Sequence, residues 1–309
     1  MSIKIITYNL CWEAFAGTKT RIDMRKCITH TDDININKCV INVGKIILNF
    51  TDDYDFMAFQ EVSNKDVERI NFPKLFIEKY YFENCKQNMD KVVTYYNKNK
   101  YTIKKVIKGN ICFSKYEKRA YLGIIFNEKI IIINVHFPHK NYNKIIKKLI
   151  KLFSQEEEFS DPDYNIIICG DFNHEPDVKY MNRQLYKNNI LNKKFYEKNN
   201  HFNTCCKPGG TYSVQFDNIF TTCEKPIIYK TLTAEEIGLY TKNNFTYTSD
   251  HLPVYIEFKN INLKEQIGGY NNLIELLDKK IIKYQNLQNN NKLEKLIYYK
   301  NYLLNSIYY

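Results

Sequence analysis

The chain has 309 residues, of which 44% are hydrophobic, so it is long enough for one catalytic domain with a large core and a C-terminal tail. Nine cysteines with no Cys-x-x-Cys pair give no signal of a disulfide framework or a zinc site, and they favour a reducing compartment. The net charge of +11 suits an anionic partner such as nucleic acid, although an AT-rich coding sequence would also raise the lysine count.

Short runs rich in Ile, Val, Tyr and Phe predict β-strands through residues 1–260. Helical periodicity predicts two helices, Ile34–Phe50 and Ile145–Phe159. Mixed strands and helices indicate one layered α/β domain. The predicted strands are Ile3–Tyr8, Phe56–Gln60, Val92–Tyr96, Tyr121–Phe126, Ile130–Val135, Ile166–Cys169, Asp217–Phe220 and Pro253–Phe258.

The pattern changes in residues 261–309, where two apolar stripes at helical spacing lie on either side of Asn289-Asn290-Asn291. These stripes predict a helical hairpin. We expect this tail to pack or to mediate self-association, with partner docking or a membrane-surface role as the alternative. Its Lys/Tyr/Leu-rich composition resembles that of helical tails in proteins of large AT-rich DNA viruses, which suggests that the protein is virus-encoded.

The longest apolar run, Ile130–Ile133, is too short to span a bilayer. No signal peptide is visible at the N-terminus, which enters a predicted strand directly. We therefore expect an intracellular protein, cytoplasmic or nuclear, that is not secreted and has no integral membrane association.

Six segments carry acids, amides or histidines at the end of an apolar run or within one. Hydrolysis of a phosphoric ester needs these groups, because oxygen ligands hold a hard cation, a carboxylate orients or deprotonates water, and histidines or amides stabilise charge on the phosphate. Each short motif alone is a weak signal, but the ordered set predicts metal-assisted hydrolysis. Its residues are Asn9, Glu61, His136, His139, Asp171, Asn173, Asp217, Asp250 and His251.

The order of these motifs resembles the exonuclease–endonuclease–phosphatase superfamily, which has the DNase I-like fold, from about Ile3 to Phe258. Gly170-Asp171-Phe172-Asn173 and Ser249-Asp250-His251-Leu252-Pro253 are its most specific parts. The resemblance implies an α/β (α+β) fold, a four-layer α/β/β/α sandwich of two mainly antiparallel sheets. It also implies a catalytic domain over residues 1–260 that hydrolyses phosphoric esters with Mg²⁺, or with Mn²⁺ as a substitute.

The resemblance further implies which residues serve the metal and the water. Glu61 resembles the principal metal ligand, Asn9 the amide near the metal and the phosphate, and Asp250 an acid near the metal. Asp171 resembles the group that positions or deprotonates the attacking water, and Asn173 its partner in the transition state.

A second set of roles concerns the phosphate. His136 and His251 resemble the two phosphate-contacting histidines, and Asp217 the acid that orients His251. Arg119 and His139 are further candidates for phosphate contact. The alternatives are that Arg119 pairs with an acid and that His139 is an exposed loop residue.

Three functions are compatible with these residues. Composition and family frequency favour a nuclease or DNA-repair phosphodiesterase. The same catalytic set would serve an inositol-phosphate phosphatase or a sphingomyelinase-like phospholipase. A non-catalytic binding module on the same fold is the third alternative, although such a module would be expected to have lost some of these acids or histidines.

Overall fold

A computed structural model of the chain divides into two units, Met1–Lys259 and Asn260–Tyr309. In the first unit the structure describes residues 2–11, 46–47, 54–62, 78–83, 91–112, 118–175, 177–196, 203–205, 214–223, 226–233, 235–237, 240–241, 244–245, 249 and 251–259. In the second unit it describes residues 277–279, 281–282, 294, 296–297 and 300, all of them helical.

Six strands form the first sheet: β1 (Ser2–Asn9), β2 (Phe56–Gln60), β3 (Glu78–Glu83), β4 (Lys91–Tyr96), β10 (Pro226–Thr231) and β13 (Val254–Lys259). Their order across the sheet is β10-β13-β1-β2-β4-β3. β1 and β2 run parallel, and the other neighbours are antiparallel. Because β1 and β2 are parallel, their C-terminal ends lie at the same edge of the sheet.

Five strands form the second sheet: β5 (Ile103–Cys112), β6 (Lys118–Phe126), β7 (Ile130–His136), β8 (Asn165–Asp171) and β9 (Asp217–Thr221). They lie in sequence order, and β7 and β8 are its parallel pair. Every residue of β7, β8 and β9 is buried, as expected for strands covered on both faces. A separate two-stranded pair consists of β11 (Tyr240–Thr241) and β12 (Asn244–Phe245).

Three helices have described bounds: α1 (Tyr142–Phe153), α2 (Glu157–Ser160) and α3 (Val178–Lys187). α1 and α2 form the crossover between parallel β7 and β8, and α3 follows β8. The apolar stripe of α1, which includes Ile146 and Phe153, packs with the apolar residues of α3, including Met181 and Leu185, in one cluster with the second sheet. These helices therefore cover the outer face of that sheet.

The two sheets pack face to face, as shown by the ring centroids of Phe56 on β2 and Phe126 on β6, which lie 5.2 Å apart. On the outer face of the first sheet, helical Ile46 and Ile47 belong to the cluster that contains Phe59. Helices thus lie outside both sheets, and the expected sandwich of two mainly antiparallel sheets is confirmed.

Several elements differ from the sequence prediction. The predicted helix Ile145–Phe159 is two helices, because the chain turns at Ser154 and brings Phe159 back beside Phe153 with ring centroids 5.9 Å apart. Both rings are buried, so apolar residues recur on both sides of the turn, and the sequence pattern did not reveal where the first helix ends. Strands β3, β5, β10, β11 and β12 and helix α3 were not predicted. Of the predicted helix Ile34–Phe50, only residues 46–47 are described, and they are helical.

The second unit is described in part. Lys300 Nζ lies 2.7 Å from Asp278 Oδ1, so two helical segments of the tail are joined by an ion pair. Most of the predicted hairpin lies outside the described residues, and it stays a prediction. Within the described parts of the chain, no helix is both long and apolar enough to cross a membrane.

Candidate active site

Strand direction brings the polar segments to one edge of both sheets. Asn9 ends β1, Glu61 follows β2, His136 ends β7 and Asp171 ends β8. Asp217 begins β9, which is antiparallel to β8 and pairs with it in register Asp171↔Asp217. Residues that are far apart in sequence therefore meet where the strands end, which is where the sequence predicted the chemistry.

Asp171 is the centre of this cluster, and its carboxylate is almost fully buried. Its Oδ2 accepts hydrogen bonds from Asn9 Nδ2 at 2.8 Å and from Asn173 Nδ2 at 3.3 Å, and its Oδ1 accepts from the Asn173 backbone N–H at 2.7 Å. Asn9 Nδ2 also lies 3.3 Å from Glu61 Oε1. The Asn9 amide therefore links the carboxylates of Asp171 and Glu61, while Asn173 fixes Asp171 alone.

The two histidines approach Asp171 from different elements. His136 Nε2 lies 3.7 Å from Asp171 Oδ2 and 3.5 Å from Glu61 Oε1. His251 Nε2 lies 3.9 Å from the same Asp171 oxygen, and its Nδ1 lies 2.8 Å from Asp217 Oδ2. Both rings thus direct Nε2 towards one small volume, and the Asp217 carboxylate fixes the orientation of His251.

The local backbone is specialised at three positions of the site. Glu61 and Asn173 have positive φ values of 54° and 48°, in the left-handed region that few non-glycine residues adopt. Gly170 has φ of 141°, and a Cβ there would lie 1.9 Å from the carbonyl oxygen of Val135 on β7. Glycine is therefore required before Asp171, and strain at the two neighbouring functional positions is typical of active sites.

A buried polar bridge joins the two sheets directly beneath the cluster. Asn134 on β7 accepts a hydrogen bond from Gln60 Nε2 at 2.7 Å and donates to the backbone carbonyls of Val93 and Phe59 at 2.9 and 3.2 Å. Gln60 Nε2 also donates to Thr7 Oγ1 at 3.0 Å. Gln60 precedes Glu61 and Asn134 lies two residues before His136, so this bridge fixes the spacing between the halves of the site.

Burial changes the acidity of the central carboxyl group. The pKa of Asp171 is raised to about 6, chiefly because burial desolvates the carboxylate and also because the charge of Asp217 lies nearby. His251, His136 and the backbone N–H of Asn173 act in the opposite direction. The result is a carboxylate that titrates near neutral pH, as is common for groups that transfer protons in enzymes.

Residues without an assigned role in the sequence also support the site. Ser249 Oγ donates to the backbone carbonyl of Asn9 at 2.6 Å and accepts from the backbone N–H of His251 at 3.1 Å. Thr204 Oγ1 accepts from the backbone N–H of Asp217 at 3.0 Å. Ser249 belongs to the sequence motif that carries His251. Thr204 could not be recognised from sequence, because a hydroxyl that accepts a hydrogen bond from a distant backbone N–H has no characteristic spacing to other site residues.

Cys205 is a further neighbour, with its sulfur 3.4 Å from His251 Nε2. It is disulfide-bonded, whereas the buried Cys169 is a free thiol. The odd number of cysteines and their spacing did not indicate this bond, because disulfide formation depends on proximity in space.

The three remaining predicted residues are Arg119, His139 and Asp250. Arg119 is partly buried near the start of β6, and the register Tyr121↔Val135 puts it at the active-site edge. His139 is exposed, with its ring centroid 6.4 Å from that of Phe216. Asp250 lies outside the described residues, so its predicted place near a metal remains a prediction.

The donor atoms of the cluster fit a divalent metal ion. One potential ligand atom from each of Glu61, His136 and Asp171 lies within 4.8 Å of the others, and Asp171, Asp217 and His251 form a second such group. The carboxylate oxygens suit hard ions such as Mg²⁺ or Mn²⁺, and the imidazole nitrogens also suit ions such as Zn²⁺. Since Glu61 is partly exposed and Asp171 is buried, the first group also offers access from solvent.

A family comparison agrees with this geometry. Residues 30–223 match the model of the endonuclease/exonuclease/phosphatase family, which is more than half of the chain. The chain belongs to this family. Members of this family are hydrolases that act on phosphoric ester bonds, and they generally depend on a divalent metal.

Individual relatives add the viral and structural context. The chain is 26% identical over 312 residues to uncharacterized protein L684 of Acanthamoeba polyphaga mimivirus, covering 92% of this chain and 61% of that relative. D. rerio TDP2 in complex with a single-strand DNA product has 14% identity and a TM-score of 0.52, over 84% of this chain and 99% of the other. Mannosyl-6-phosphatase Bt3783 of Bacteroides thetaiotaomicron has 16% identity and a TM-score of 0.55, over 82% and 98%. The two structures support the fold.

Proposed function

We propose that the protein is a Mg²⁺-dependent phosphodiesterase that cleaves nucleic acid, as a nuclease or DNA-repair enzyme, with Mn²⁺ as a substitute ion. The observation that carries this proposal is the convergence of acids, histidines and amides around the buried Asp171 carboxylate at one edge of the two sheets. A net charge of +11 supports a polyanionic substrate. The single-strand DNA product bound by D. rerio TDP2 supports the same substrate class.

Glu61 would hold the metal, with Asn9 beside it and Asp250 as a further acid of the same site. The bound ion would supply Lewis-acid stabilisation of charge on the phosphate oxygens. The hydrogen bond from Asn9 Nδ2 to Asp171 Oδ2, at 2.8 Å, links this metal-binding side of the site to the water-activating side.

Asp171 would position the attacking water or accept its proton. Because the pKa of Asp171 is raised to about 6, the carboxylate is mostly ionised at neutral pH and still basic enough to take up a proton. The Asn173 backbone N–H holds one carboxylate oxygen at 2.7 Å, which fixes the carboxylate plane. Asn173 would also stabilise the transition state through its side-chain amide.

His136 and His251 would donate hydrogen bonds to the phosphate oxygens as negative charge develops there. Their Nε2 atoms lie 3.7 and 3.9 Å from the same oxygen of Asp171, so both face the place where water and phosphate would meet. Asp217 would keep Nδ1 of His251 protonated, so that the ring stays oriented. Arg119 and His139 would add phosphate contacts at the rim of the site.

A substrate panel with the full chain tests this proposal. Single-stranded DNA, duplex DNA, RNA, 5′-tyrosyl DNA, inositol phosphates, mannose 6-phosphate and sphingomyelin are each offered with Mg²⁺, with Mn²⁺ and with EDTA. We expect metal-dependent cleavage of a nucleic acid, lost in Glu61→Gln and retained in Glu157→Gln, an exposed acid on α2.

Three other outcomes would overturn the proposal. Turnover of inositol phosphates or sphingomyelin alone would favour a phosphatase or a phospholipase. Turnover of mannose 6-phosphate alone would favour a sugar phosphatase. Binding of nucleic acid without turnover of any ester would favour a non-catalytic module.

The cellular setting is part of the same proposal. Similarity to the mimivirus protein supports a virus-encoded enzyme that acts inside the infected cell. The chain spans 61% of that relative's length, so functions of the longer protein need not all reside here. For the tail we retain self-association or partner docking as the proposed role.

A further inference from the structure

The solvent face of α1 is made of cations. Lys144, Lys147, Lys148 and Lys151 are all exposed, while the opposite face of the helix is buried in the core. No acidic residue occurs anywhere in α1, whose sequence is YNKIIKKLIKLF. Packing accounts for the apolar face of this helix, but it does not account for a face that carries a single sign of charge.

The neighbouring helix α3 extends the same charge. Lys179, Arg183 and Lys187 are exposed on it, and Tyr186 between them has 57% of its surface exposed. Asp177 precedes the helix and lies 3.9 Å from Arg183, but this exposed pair offsets little of the charge. α3 therefore adds three cations and an aromatic ring, the combination that contacts both phosphates and bases in single-strand binding proteins.

The two helices form one surface that starts at the active site. The hydroxyl of Tyr180, near the start of α3, donates to the carbonyl oxygen of Asn143, near the start of α1, at 2.9 Å. α1 begins soon after His136 and α3 soon after Asp171, so both helices run away from the active-site edge. A twelve-residue helix is roughly 18 Å long, so the lysines of α1 form a track that leads away from that edge.

Two acids that follow α1 are paired with lysines of β5. Lys104 Nζ on β5 lies 2.8 Å from Glu158, and Lys105 of the same strand is paired with Glu156. The exposed cations of α1 and α3, which we call the helical basic face, are Lys144, Lys147, Lys148, Lys151, Lys179, Arg183 and Lys187.

We propose that the helical basic face is an accessory binding surface for the sugar–phosphate backbone of single-stranded nucleic acid, and that it holds the strand beyond the bond being cleaved. The proposal rests on the proposed function in that nucleic acid is the substrate. A lipid surface fits less well, because the exposed positions of α1 and α3 carry no large aliphatic side chain that could insert into a bilayer.

Binding of a fluorescent 30-nucleotide single strand, measured by anisotropy in EDTA so that no cleavage occurs, tests this surface. Lys147→Gln/Lys151→Gln removes two charges from the face. The matched control, Lys98→Gln/Lys129→Gln, removes two exposed lysines at the sheet edge opposite the site, one after β4 and one in the turn between β6 and β7. We expect about 20-fold weaker binding at 0.1 M salt for the first variant, with a slope of log K against log salt that is about 1.4 units shallower.

Equal binding by Lys147→Gln/Lys151→Gln and the wild type would overturn the proposal, and so would an equal loss in the control, because net charge alone would then explain the affinity. Co-sedimentation with phosphatidylserine vesicles provides a further arm. If the helical variant lost vesicle binding and kept binding to the single strand, the face would be a membrane-contact surface and the proposal would be wrong.

Cleavage assays separate this inference from the proposed function. With Mg²⁺, the ratio of kcat/KM for a 30-nucleotide strand to kcat/KM for a dinucleotide measures the preference for long substrates. We expect Lys147→Gln/Lys151→Gln to lower this ratio by about the same factor as it lowers the affinity for the strand. If the wild-type protein cleaves no nucleic acid but the variant still binds the single strand more weakly than the wild type, the proposed function is refuted and the binding surface is supported. Normal cleavage with an unchanged length preference would refute the surface alone.

Discussion

The bridge between Gln60 and Asn134 provides a quantitative test of how the two sheets position the site. Asn134→Leu keeps a side chain of similar size but removes one hydrogen bond from Gln60, two donated to backbone carbonyls of the first sheet and one donated to Thr94 Oγ1. At about 1 kcal/mol for each bond, we expect the free energy of unfolding to fall by about 4 kcal/mol. Gln60→Leu removes the bonds to Thr7, Ala58 and Asn134, so we expect a similar loss.

The double variant Gln60→Leu/Asn134→Leu distinguishes a coupled bridge from two separate polar residues. The bond that the two side chains share is lost once, and neither amide is left facing an apolar partner. We therefore expect the double variant to be about 1–2 kcal/mol more stable than the sum of the single losses predicts.

Urea unfolding of the four proteins, followed by tyrosine fluorescence and circular dichroism, measures this coupling. If the loss of stability in the double variant equals the sum of the two single losses within about 0.3 kcal/mol, a structural bridge between the sheets is refuted.

Three further changes test individual contacts. Gly170→Ala would place a Cβ 1.9 Å from the Val135 carbonyl at a φ of 141°, so we expect a loss of more than about 3 kcal/mol, or no soluble protein, and normal stability would contradict the geometry. The folded-state pKa of Asp171 is about 6, above its ordinary value of 3.8, so the folded protein binds this proton more tightly than the unfolded chain does. In EDTA, we therefore expect the free energy of unfolding to fall by about 2–3 kcal/mol as the pH rises from about 4 to 7. Urea titrations at each pH measure this fall, and we expect Asp171→Asn to lack it. Ser249→Ala leaves the Asn9 carbonyl without the donor at 2.6 Å, and we expect about 1–2 kcal/mol lower stability with reduced turnover; unchanged values would assign Ser249 no part in the site.

The central strands could be predicted from sequence because they are continuous apolar runs. β7 and β8 are buried along their whole length, so each residue had to be apolar or hydrogen-bonded within the protein. β5 escaped prediction because this edge strand exposes Lys104, Lys105 and Lys108 and reads as a polar segment. Helix α3 escaped because Gln184 occupies one of its buried positions and interrupts the apolar stripe.

The site was predictable where its residues carry distinctive chemistry. Asp171 and Asn173 lie two residues apart after a strand, and the structure brings both into one hydrogen-bonded group. The contact between Asn9 and Asp171 spans 162 positions, so sequence spacing gives no distance for it. Only the face-to-face packing of the sheets brings these side chains together, and the same holds for the Gln60–Asn134 bridge.

The most direct test of the catalytic assignment is metal-dependent ester hydrolysis by folded variants of the central cluster. Asp171→Asn and His251→Ala are compared with wild type and with His174→Ala, an exposed neighbour whose ring stacks on Tyr142. We expect activity with Mg²⁺ to fall by at least about 100-fold in the first two variants and to persist in the third. Retention of near wild-type activity by both Asp171→Asn and His251→Ala would contradict a catalytic role for this cluster.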